Sequence, residues 1–444
     1  MNKLRKDVLL ILVTLVISSC VVFPDKVTPD LHSEATDVLL AAVPSQTSEP
    51  TNPPASPALT ATVTPIVATA TPTWESPLPD IEVKSIEVMT SSLEIGQAKG
   101  TFAYLDYSDS KQYLLNLATG EKTLLFAQDR LSLYCGPVSP DRSRLACHAG
   151  DQLLLFDWQA QILDHFPWQE GWVYNAGWVN NTWLAFVTRP PQDYPNLLNV
   201  PTTLLNLTTQ ETRQIIPDYP NITVFEPFGN FGPLAFTGVS YGPDLELVVY
   251  EAYESGDFAW VLWDRKAQQE KARIPQSEQY PYPQWSPDGQ QVVVAGSDES
   301  YTRKQSATEL YLLSRLNGVQ KLTHLGDSFL NFTEIWGLGW SPDGKQIAFV
   351  LQSDQSACSA SGCIGILDVD TTTLRLFQFP KYRNGPPGEP VYALTWSPDG
   401  RQLLLELFSE VTQSTSITIF NFETETAFPV ITTEVRILGW MSEK

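Results

Sequence analysis

The sequence predicts an all-β fold, a β-propeller of seven four-stranded blades, with six or eight blades as alternatives. Three observations lead to this prediction: a pentapeptide that repeats, an apolar run after each copy, and a regular interval between copies. The pentapeptide Trp-Ser-Pro-Asp-Gly begins at Trp285, Trp340 and Trp396, and a related segment reaches Trp440 near the end of the chain, with intervals of 55, 56 and 44 residues. Four short strands in about 40–50 residues are the period of a propeller blade.

Each pentapeptide has the chemistry of a hairpin corner. Proline pre-sets φ near −65° at the first corner position, aspartate hydrogen-bonds nearby backbone amides, and glycine supplies the positive φ of the return. The tryptophan ends the incoming strand, where its large flat ring packs between neighbouring sheets. The residues expected to build these repeat turns are Trp285, Asp288 and Gly289, Trp340, Asp343 and Gly344, and Trp396, Asp399 and Gly400.

Weaker copies of the motif extend the repeat towards the N-terminus. With these included, incoming strands end near positions 138, 178, 240, 285, 340, 396 and 440. The first unit, residues 100–126, has no incoming strand of its own, whereas residues 435–440 form an incoming strand with no unit after it. We therefore expect the C-terminal strand to complete the first blade and close the ring, because closure leaves no open sheet edge at the junction.

The motif Trp-Ser-Pro-Asp-Gly, followed by two residues and three apolar ones, resembles the WD-repeat-like propeller repeat of TolB and of the propeller domains of prolyl-oligopeptidase-type enzymes. The resemblance spans residues 101–444, with three strong copies and at least three weaker ones. It implies a propeller fold. It implies no particular activity, because proteins of many functions share this repeat.

Residues 1–19 have the composition of a secretory signal peptide. Three basic residues precede the apolar residues 8–17, and two serines lead to Cys20. The apolar run is shorter than the roughly 20 residues that a transmembrane helix needs. The segment Ile-Ser-Ser-Cys resembles the bacterial lipobox, which implies cleavage before Cys20 and attachment of a diacylglycerol and an acyl chain such as palmitate to that cysteine. An ordinary signal peptide with a chance cysteine is the alternative.

Residues 20–80 are expected to form the lipidated cysteine and a disordered tether. Positions 24–79 contain 11 Pro, 10 Thr and 5 Ser among 56 residues. The segment therefore has too few large apolar side chains to form a core. Such a composition favours an extended, semi-rigid spacer. Residues 81–444 are expected to form the propeller domain, with residues 81–100 as one irregular strand entering the fold.

Charge limits the classes of partner. Asp and Glu number 50 against 28 Lys and Arg, and the net charge is −22. Because such a chain repels a phosphate backbone, a nucleic-acid partner is not expected. The charge suits solubility first, and basic partners or divalent cations second.

The chain has five cysteines, and four remain beyond the signal region. Cys135 and Cys147 flank a predicted strand, turn and strand, and Cys358 and Cys363 bracket a short loop. An even number in an exported protein favours two disulfides. Zinc is the rival, but the spacings lack the Cys-x2-Cys unit of common zinc sites, and free buried thiols are a further alternative for the first pair.

No catalytic residue, cofactor site or metal site is predicted. Residues 238–242 match Gly-x-Ser-x-Gly, but the nucleophile elbow needs a helix after the serine, and here a turn and a strand are expected around Ser240. The aspartates of the repeat could suggest calcium, but their role in the turns already explains them. The chain has four histidines, and none of them forms a His-x3-His pair: His32, His148, His165 and His324.

Four longer inserts are expected to connect strands or blades at residues 189–202, 217–233, 297–308 and 381–390. Loops of this length on a rigid ring are common places for binding. Their aromatic side chains either contact a partner or pack within their own loops: Tyr194, Tyr219, Phe225, Phe228 and Tyr382.

Together these features predict a monomeric, extracytoplasmic propeller that is lipid-anchored to the bacterial membrane, at the cell surface or in the periplasm. We expect a binding or scaffold module, not an enzyme, which presents a face to an unknown envelope protein or polysaccharide. The alternatives are an envelope glycan lyase or hydrolase with an acidic site in the central funnel, and a sensor or assembly part of an envelope complex, as the TolB resemblance implies. Convergent carboxylates with raised pKa in the funnel would favour an enzyme, whereas an apolar funnel with an aromatic rim would favour binding.

Overall fold

The computed structural model describes part of the chain. The described residues are 81–85, 87–88, 99–126, 133–168, 177–187, 202–215, 239–254, 257–275, 281–297, 307–328, 333–353, 358, 362–378, 391–409 and 414–442. The predicted signal peptide, Cys20, the tether and His32 lie outside these residues.

The strands are numbered in chain order. Two short strands come first: β1 (Ile81–Ser85) and β2 (Glu87–Val88). Blades 1 to 3 contain β3 (Thr101–Asp106), β4 (Lys111–Asn116), β5 (Lys122–Leu124), β6 (Leu133–Val138), β7 (Leu145–Ala149), β8 (Gln152–Phe156), β9 (Ile162–Pro167), β10 (Gly177–Trp178), β11 (Trp183–Val187), β12 (Thr202–Asn206) and β13 (Thr212–Ile215). Blades 4 and 5 contain β14 (Val239–Tyr241), β15 (Leu247–Glu254), β16 (Asp257–Asp264), β17 (Gln269–Pro275), β18 (Gln284–Trp285), β19 (Gln291–Ser297), β20 (Thr308–Ser314) and β21 (Gly318–Lys321). The remaining strands are β22 (Thr333–Trp340), β23 (Gln346–Ser353), β24 (Cys363–Asp368), β25 (Leu374–Gln378), β26 (Val391–Trp396), β27 (Gln402–Ser409), β28 (Ser414–Asn421), β29 (Thr426–Ile431) and β30 (Val435–Met441).

The described strands form seven blades, each with four antiparallel strands, so the predicted seven-bladed propeller is confirmed. Blades 2 to 7 each contain four consecutive strands. The first strand of each blade is innermost, because the ends of these strands surround one axial cavity. Blades 2 to 7 repeat the same antiparallel order, which is why related sequence motifs recur at their inner corners.

The ring closes as predicted from the sequence. Blade 1 has the order β30-β3-β4-β5, so the C-terminal strand supplies the innermost strand of the first blade. β30 pairs with β3 from Met441 opposite Thr101 to Val435 opposite Asp106, with one β-bulge. The junction therefore has no open strand edge, which is the requirement that motivated the prediction.

The strand that follows each repeat turn is buried on both faces. In β19, Val292, Val293, Val294 and Ala295 are completely buried. β-branched residues fit a pleated strand that packs on both sides, so the apolar run after the turn becomes the second strand of a blade.

The core lies between neighbouring blades. Among the described residues, one apolar cluster occupies each of the seven junctions. The cluster at the closure joins Phe102 and Trp440 of blade 1 to Leu404 and Ile419 of blade 7. The closing junction is therefore packed in the same way as the six others, and each blade depends on both of its neighbours.

The segment before the ring differs from the expectation of one irregular strand. β1 pairs in parallel with β25, the outermost strand of blade 6, and β2 pairs in parallel with β29, the outermost strand of blade 7. An ion pair of 2.5 Å joins Lys84 to Glu425 in the last turn of blade 7. The N-terminal segment therefore covers the outer edges of two neighbouring blades, and we call β1 and β2 the strap.

A single helical turn, α1 (Leu325–Ser328), follows the outermost strand of blade 5. The completely buried carboxylate of Glu309 accepts hydrogen bonds from the amides of Leu325 (2.8 Å) and Gly326 (3.0 Å) and from Thr323 Oγ1 (2.6 Å). Lys321 Nζ lies 3.6 Å from the same group. Within the described residues, no helix has the length and apolar character that crossing a membrane requires.

Candidate functional site at one end of the propeller axis

The repeat turns meet around the axis at one end of the ring. In the turn of blade 5, Ser286 Oγ donates to Asp288 Oδ1 (2.6 Å) and accepts from the amide of Gln291 (3.1 Å), while the amide of Gly289 donates to Ser286 O (2.8 Å). Gly289 has φ 70°, in the left-handed region that favours glycine. This turn is therefore locked by its own serine and aspartate.

Blades 6 and 7 repeat this geometry. Ser341 and Ser397 donate to Asp343 Oδ1 (2.7 Å) and Asp399 Oδ1 (2.6 Å). The bond from Ser341 lowers the pKa of the Asp343 carboxyl, because it stabilises the charged form. Each of these aspartates thus accepts a hydrogen bond from the serine of its own turn.

Tryptophans at the ends of the inner strands connect five of the seven blades to the one before. The indole N–H of each donates to an acceptor on the inner strand of the preceding blade, so the ring packs against apolar neighbours while its polar atom is satisfied. The donor–acceptor pairs are Trp178 to Pro137 O (2.9 Å), Trp285 to Ser240 Oγ (3.0 Å), Trp340 to Gln284 O (2.9 Å), Trp396 to Gly339 O (3.0 Å) and Trp440 to Thr395 O (3.2 Å).

Proline and glycine form a second set of contacts between successive turns. A Cβ atom placed on Gly289 would lie 2.8 Å from Cδ of Pro243, in the turn of the preceding blade. The corresponding distances from Gly344 to Pro287 and from Gly400 to Pro342 are 3.5 Å and 3.6 Å. Glycine is therefore favoured at these positions for two reasons: the backbone has a positive φ, and the proline of the preceding turn lies close, most closely at Gly289.

The inner strands and turns enclose an axial cavity of about 740 Å³. Every blade contributes to its described lining, and blade 1 does so through Ser442. The walls are mostly apolar, and two groups of residues dominate them: the prolines Pro140, Pro243, Pro287, Pro342 and Pro398, and the tryptophans Trp178, Trp260, Trp285, Trp340 and Trp396. Pro140, Pro287 and Pro398 are exposed, so the cavity opens through a rim of turn prolines, which we call the proline rim.

Two charged residues occur in the described lining, Asp141 and Arg142, both in the turn of blade 2. Arg142 has φ 61°, a conformation that costs a non-glycine residue about 1 kcal/mol. Burial lowers the pKa of its guanidinium to about 10, and the carboxylate of Asp399 in blade 7 acts in the opposite direction. Arg142 therefore remains charged at neutral pH inside a largely apolar cavity.

The four remaining cysteines form two disulfides in the structure, not a zinc site or free thiols. Cys135 and Cys147 are directly paired across β6 and β7, with Cα atoms 4.0 Å apart. Cys358 and Cys363 are joined across a short loop, with Cα atoms 5.1 Å apart. Both bonds lie within packed blade junctions and away from the axial cavity.

Ser240 is the middle residue of the short inner strand β14, and its hydroxyl accepts the indole N–H of Trp285. A turn and strand β15 follow it, so the helix that a nucleophile elbow requires does not occur at this position. Within the described part of the chain, no group of three His, Cys, Asp or Glu side chains has a metal-binding arrangement.

His148 is a buried part of blade 2. Its ring stacks on Trp168 with centroids 4.8 Å apart and planes 13° apart, and burial lowers its pKa to about 4. His165, by contrast, is exposed on the outermost strand of the same blade.

A pH dependence of stability follows from His148. The unfolded chain takes up a proton near pH 6.5, whereas the folded chain does so only near pH 4. The stabilisation is therefore complete above pH 6.5 and is lost as the pH falls towards 4, by about 3 kcal/mol in total. The difference in unfolding free energy between wild type and His148→Phe, measured by urea denaturation from pH 4 to 7, should show this slope. His165→Gln is the control for loss of an imidazole at an exposed position of the same blade; a wild-type profile in His148→Phe would contradict the prediction.

Sequence reasoning missed Arg142 and the strap. Arg142 follows Ser139-Pro140-Asp141, so an alignment of the repeats would show an arginine where the three strong copies have glycine. The predicted aromatic loop residues lie outside the described residues: Tyr194, Tyr219, Phe225, Phe228 and Tyr382.

Among known proteins, no family model and no curated protein matches this sequence. Similar solved structures include an oligogalacturonate lyase in complex with manganese, at 14% identity and a TM-score of 0.45, covering 74% of this chain and 85% of that one. TolB from Acinetobacter baumannii is similar at 13% identity and a TM-score of 0.39, covering 83% and 98% of the two chains. The C-terminal WD40 domain of Sif2 is similar at 11% identity and a TM-score of 0.39, covering 77% and 99%. TolB and WD40 propellers thus occur among the structures this chain resembles, while its fold follows from its own strand order.

Proposed function

We propose that the protein is a membrane-anchored, extracytoplasmic binding propeller that docks a protein partner on the proline rim. The observation that carries this proposal is the construction of the rim. Exposed prolines from three blades surround an apolar cavity, and each lies in a turn that is fixed by its own serine and aspartate. A rigid apolar surface loses little conformational entropy on binding, which favours association.

The polar groups of the rim favour a basic partner. Asp288, Asp343 and Asp399 are exposed on the turns beside the prolines. Their position in the turns is fixed, so a cationic partner would meet carboxylates that are already oriented. The net charge of −22 acts in the same direction over longer distances.

Binding is favoured over glycan cleavage by the composition of the cavity. Glycosidases use two carboxyl groups about 5–10 Å apart. The described lining contains one carboxylate, Asp141, which accepts hydrogen bonds from Ser139 (2.8 Å) and Ser143 (2.8 Å) in its own turn. The lining therefore lacks a second acid to pair with it among the described residues.

The proposed membrane anchoring through Cys20 is based on the sequence of the N-terminus. One crosslinking and fractionation experiment tests both the anchoring and the docking. A photo-crosslinking amino acid is placed at Gln290, which is exposed beside the rim, or at Leu163, which is exposed on the outer edge of blade 2. Each is expressed in the producing bacterium as the full chain, with Cys20 or with Cys20→Ser, and membrane and soluble fractions are compared after illumination.

We expect protein adducts from the crosslinker at Gln290 and none from the crosslinker at Leu163. High salt should lower the yield of the Gln290 adducts, because it screens the exposed charges that attract a basic partner. The chain with Cys20 should fractionate with membranes, and Cys20→Ser should not. Adducts from Leu163 alone would contradict docking on the rim. Adducts to polysaccharide in place of protein would favour the glycan-binding alternative, and membrane association of Cys20→Ser would contradict lipid anchoring.

A further inference from the structure

In the turns of blades 2 and 4, Arg142 and Leu245 occupy the position that glycine has in the three strong copies, and of the two Arg142 is charged. Gly289, Gly344 and Gly400 occupy the left-handed position in their turns, with φ between 70° and 72°. Arg142 occupies the equivalent position in blade 2, with φ 61°, and its amide donates to Ser139 O (2.7 Å) as the glycine amides do in theirs. A large charged side chain has replaced glycine where glycine is preferred on conformational grounds.

The closure of the ring explains why this position accepts a side chain. In the three strong copies, the proline of the preceding turn packs against the glycine. Blade 1, which precedes blade 2, has no such turn, because β30 ends and β3 begins at this end of the ring. Ser442, just after β30, donates its amide to Arg142 O (2.8 Å) instead. The side chain of Arg142 therefore enters space that a proline borders in the other blades.

The Arg142 guanidinium receives little stabilisation from the described residues around it. It has no hydrogen bond to a described acceptor and no ion pair of 4 Å or less with a described residue. Asp399 interacts with it only at longer range. A strained, partly buried cation without a close partner costs stability, which indicates a role other than holding the turn.

We infer that the axial cavity binds a small organic monoanion, whose carboxylate pairs with Arg142 and whose apolar body lies against the proline and tryptophan walls. A volume of about 740 Å³ suits such a ligand. The planar guanidinium presents two parallel N–H groups to a carboxylate, and the apolar walls strengthen that pairing by excluding water.

The surrounding charge favours a monoanion over a polyanion. Asp399 acts on the guanidinium electrostatically, Asp141 lines the same cavity, and the whole chain carries −22. A second negative charge on the ligand would meet repulsion from both carboxylates, whereas a single carboxylate replaces water at the guanidinium. This inference goes beyond the proposed function, because the anion site exists whether or not a protein docks on the rim.

The test compares two isosteric probes, 2-naphthoate and the neutral 2-naphthamide, titrated into the full chain and measured by calorimetry and tryptophan fluorescence. Naphthoate should bind at least about tenfold more tightly than naphthamide, as expected for a charge-assisted hydrogen-bonded pair. Arg142→Gly restores the residue of the other turns. It should lower naphthoate affinity to that of naphthamide, while the melting temperature stays unchanged or rises.

Two further variants keep the test decisive. Arg142→Gln retains a long side chain without charge and should also lose the preference for naphthoate, which covers the case that the glycine variant folds poorly. Leu245→Gly is the matched control: Leu245 has φ 62° in the corresponding turn of blade 4, and its replacement should leave naphthoate affinity unchanged. Equal binding of the two probes to the wild type, no binding of either, or unaltered naphthoate affinity in both Arg142 variants would overturn the inference.

Discussion

Removal of residues 435–444 is expected to abolish the cooperative unfolding transition of the propeller. β30 supplies the innermost strand of blade 1, and Val435, Trp440 and Met441 are buried to 99% or more. Burying each large apolar side chain contributes about 1.5–3 kcal/mol, and the backbone pairing with β3 is lost as well. The total approaches the 5–15 kcal/mol by which domains of ordinary stability are held folded. Circular dichroism and calorimetric melting curves of the full and shortened chains measure the effect.

Two smaller changes separate closure from a general effect of truncation. Removal of residues 443–444 alone leaves β30 intact and should leave the melting temperature unchanged. Trp440→Ala keeps the strand but removes its packing and its bond to Thr395 O, and should cost about 3–5 kcal/mol. If the shortened chain melted like the full one, the closed ring would be wrong.

The second large effect is expected at Glu309. Replacing Glu309 with alanine should lower the unfolding free energy by about 3–5 kcal/mol, since it leaves buried donors without their acceptor. The affected donors are Thr323 Oγ1 and the first two amides of α1. Burial raises the pKa of Glu309, while Lys321 and these hydrogen bonds act in the opposite direction. Urea denaturation at pH 7 measures the loss.

A matched pair of controls identifies burial as the cause. Glu309→Gln keeps an acceptor oxygen and should recover part of the loss. Glu270, on β17 of the neighbouring blade, pairs with Arg273 at 2.8 Å, and both side chains are 36% exposed. Glu270→Ala should cost no more than about 1 kcal/mol, as is usual for exposed ion pairs. A similar loss from Glu270→Ala and Glu309→Ala would show that burial is not the determining factor.

The sequence predicts the blades well because a local motif encodes them. The corner at Pro287, Asp288 and Gly289 is set by three adjacent residues, and the same corner recurs in two other blades. Closure was also predictable, because counting strands left one unit without an inner strand and one strand without a unit. Both inferences needed only local chemistry and the rule that sheet edges are not left open.

The features that escaped prediction depend on contacts distant in sequence. β1 and β2 pair with blades 6 and 7 through backbone hydrogen bonds, which require no side-chain pattern. The setting of Arg142 could not be predicted from the sequence, because it depends on the neighbouring blade 1, which lacks the repeat turn. Likewise, the sequence shows Glu309 as a single acidic residue within an apolar strand, and only the fold places α1 against its carboxylate.

The strap determines where mechanical load enters the domain. The chain arrives at Ile81 and is fastened at once to β25 and then to β29, with Lys84 bonded to Glu425 between them. Tension from the N-terminal side is therefore borne at the outer circumference, three strands away from the innermost strands of blades 6 and 7. The axial cavity and β30 lie off that path, so a pull on the N-terminal segment would strain the periphery first and leave the central opening at its resting width.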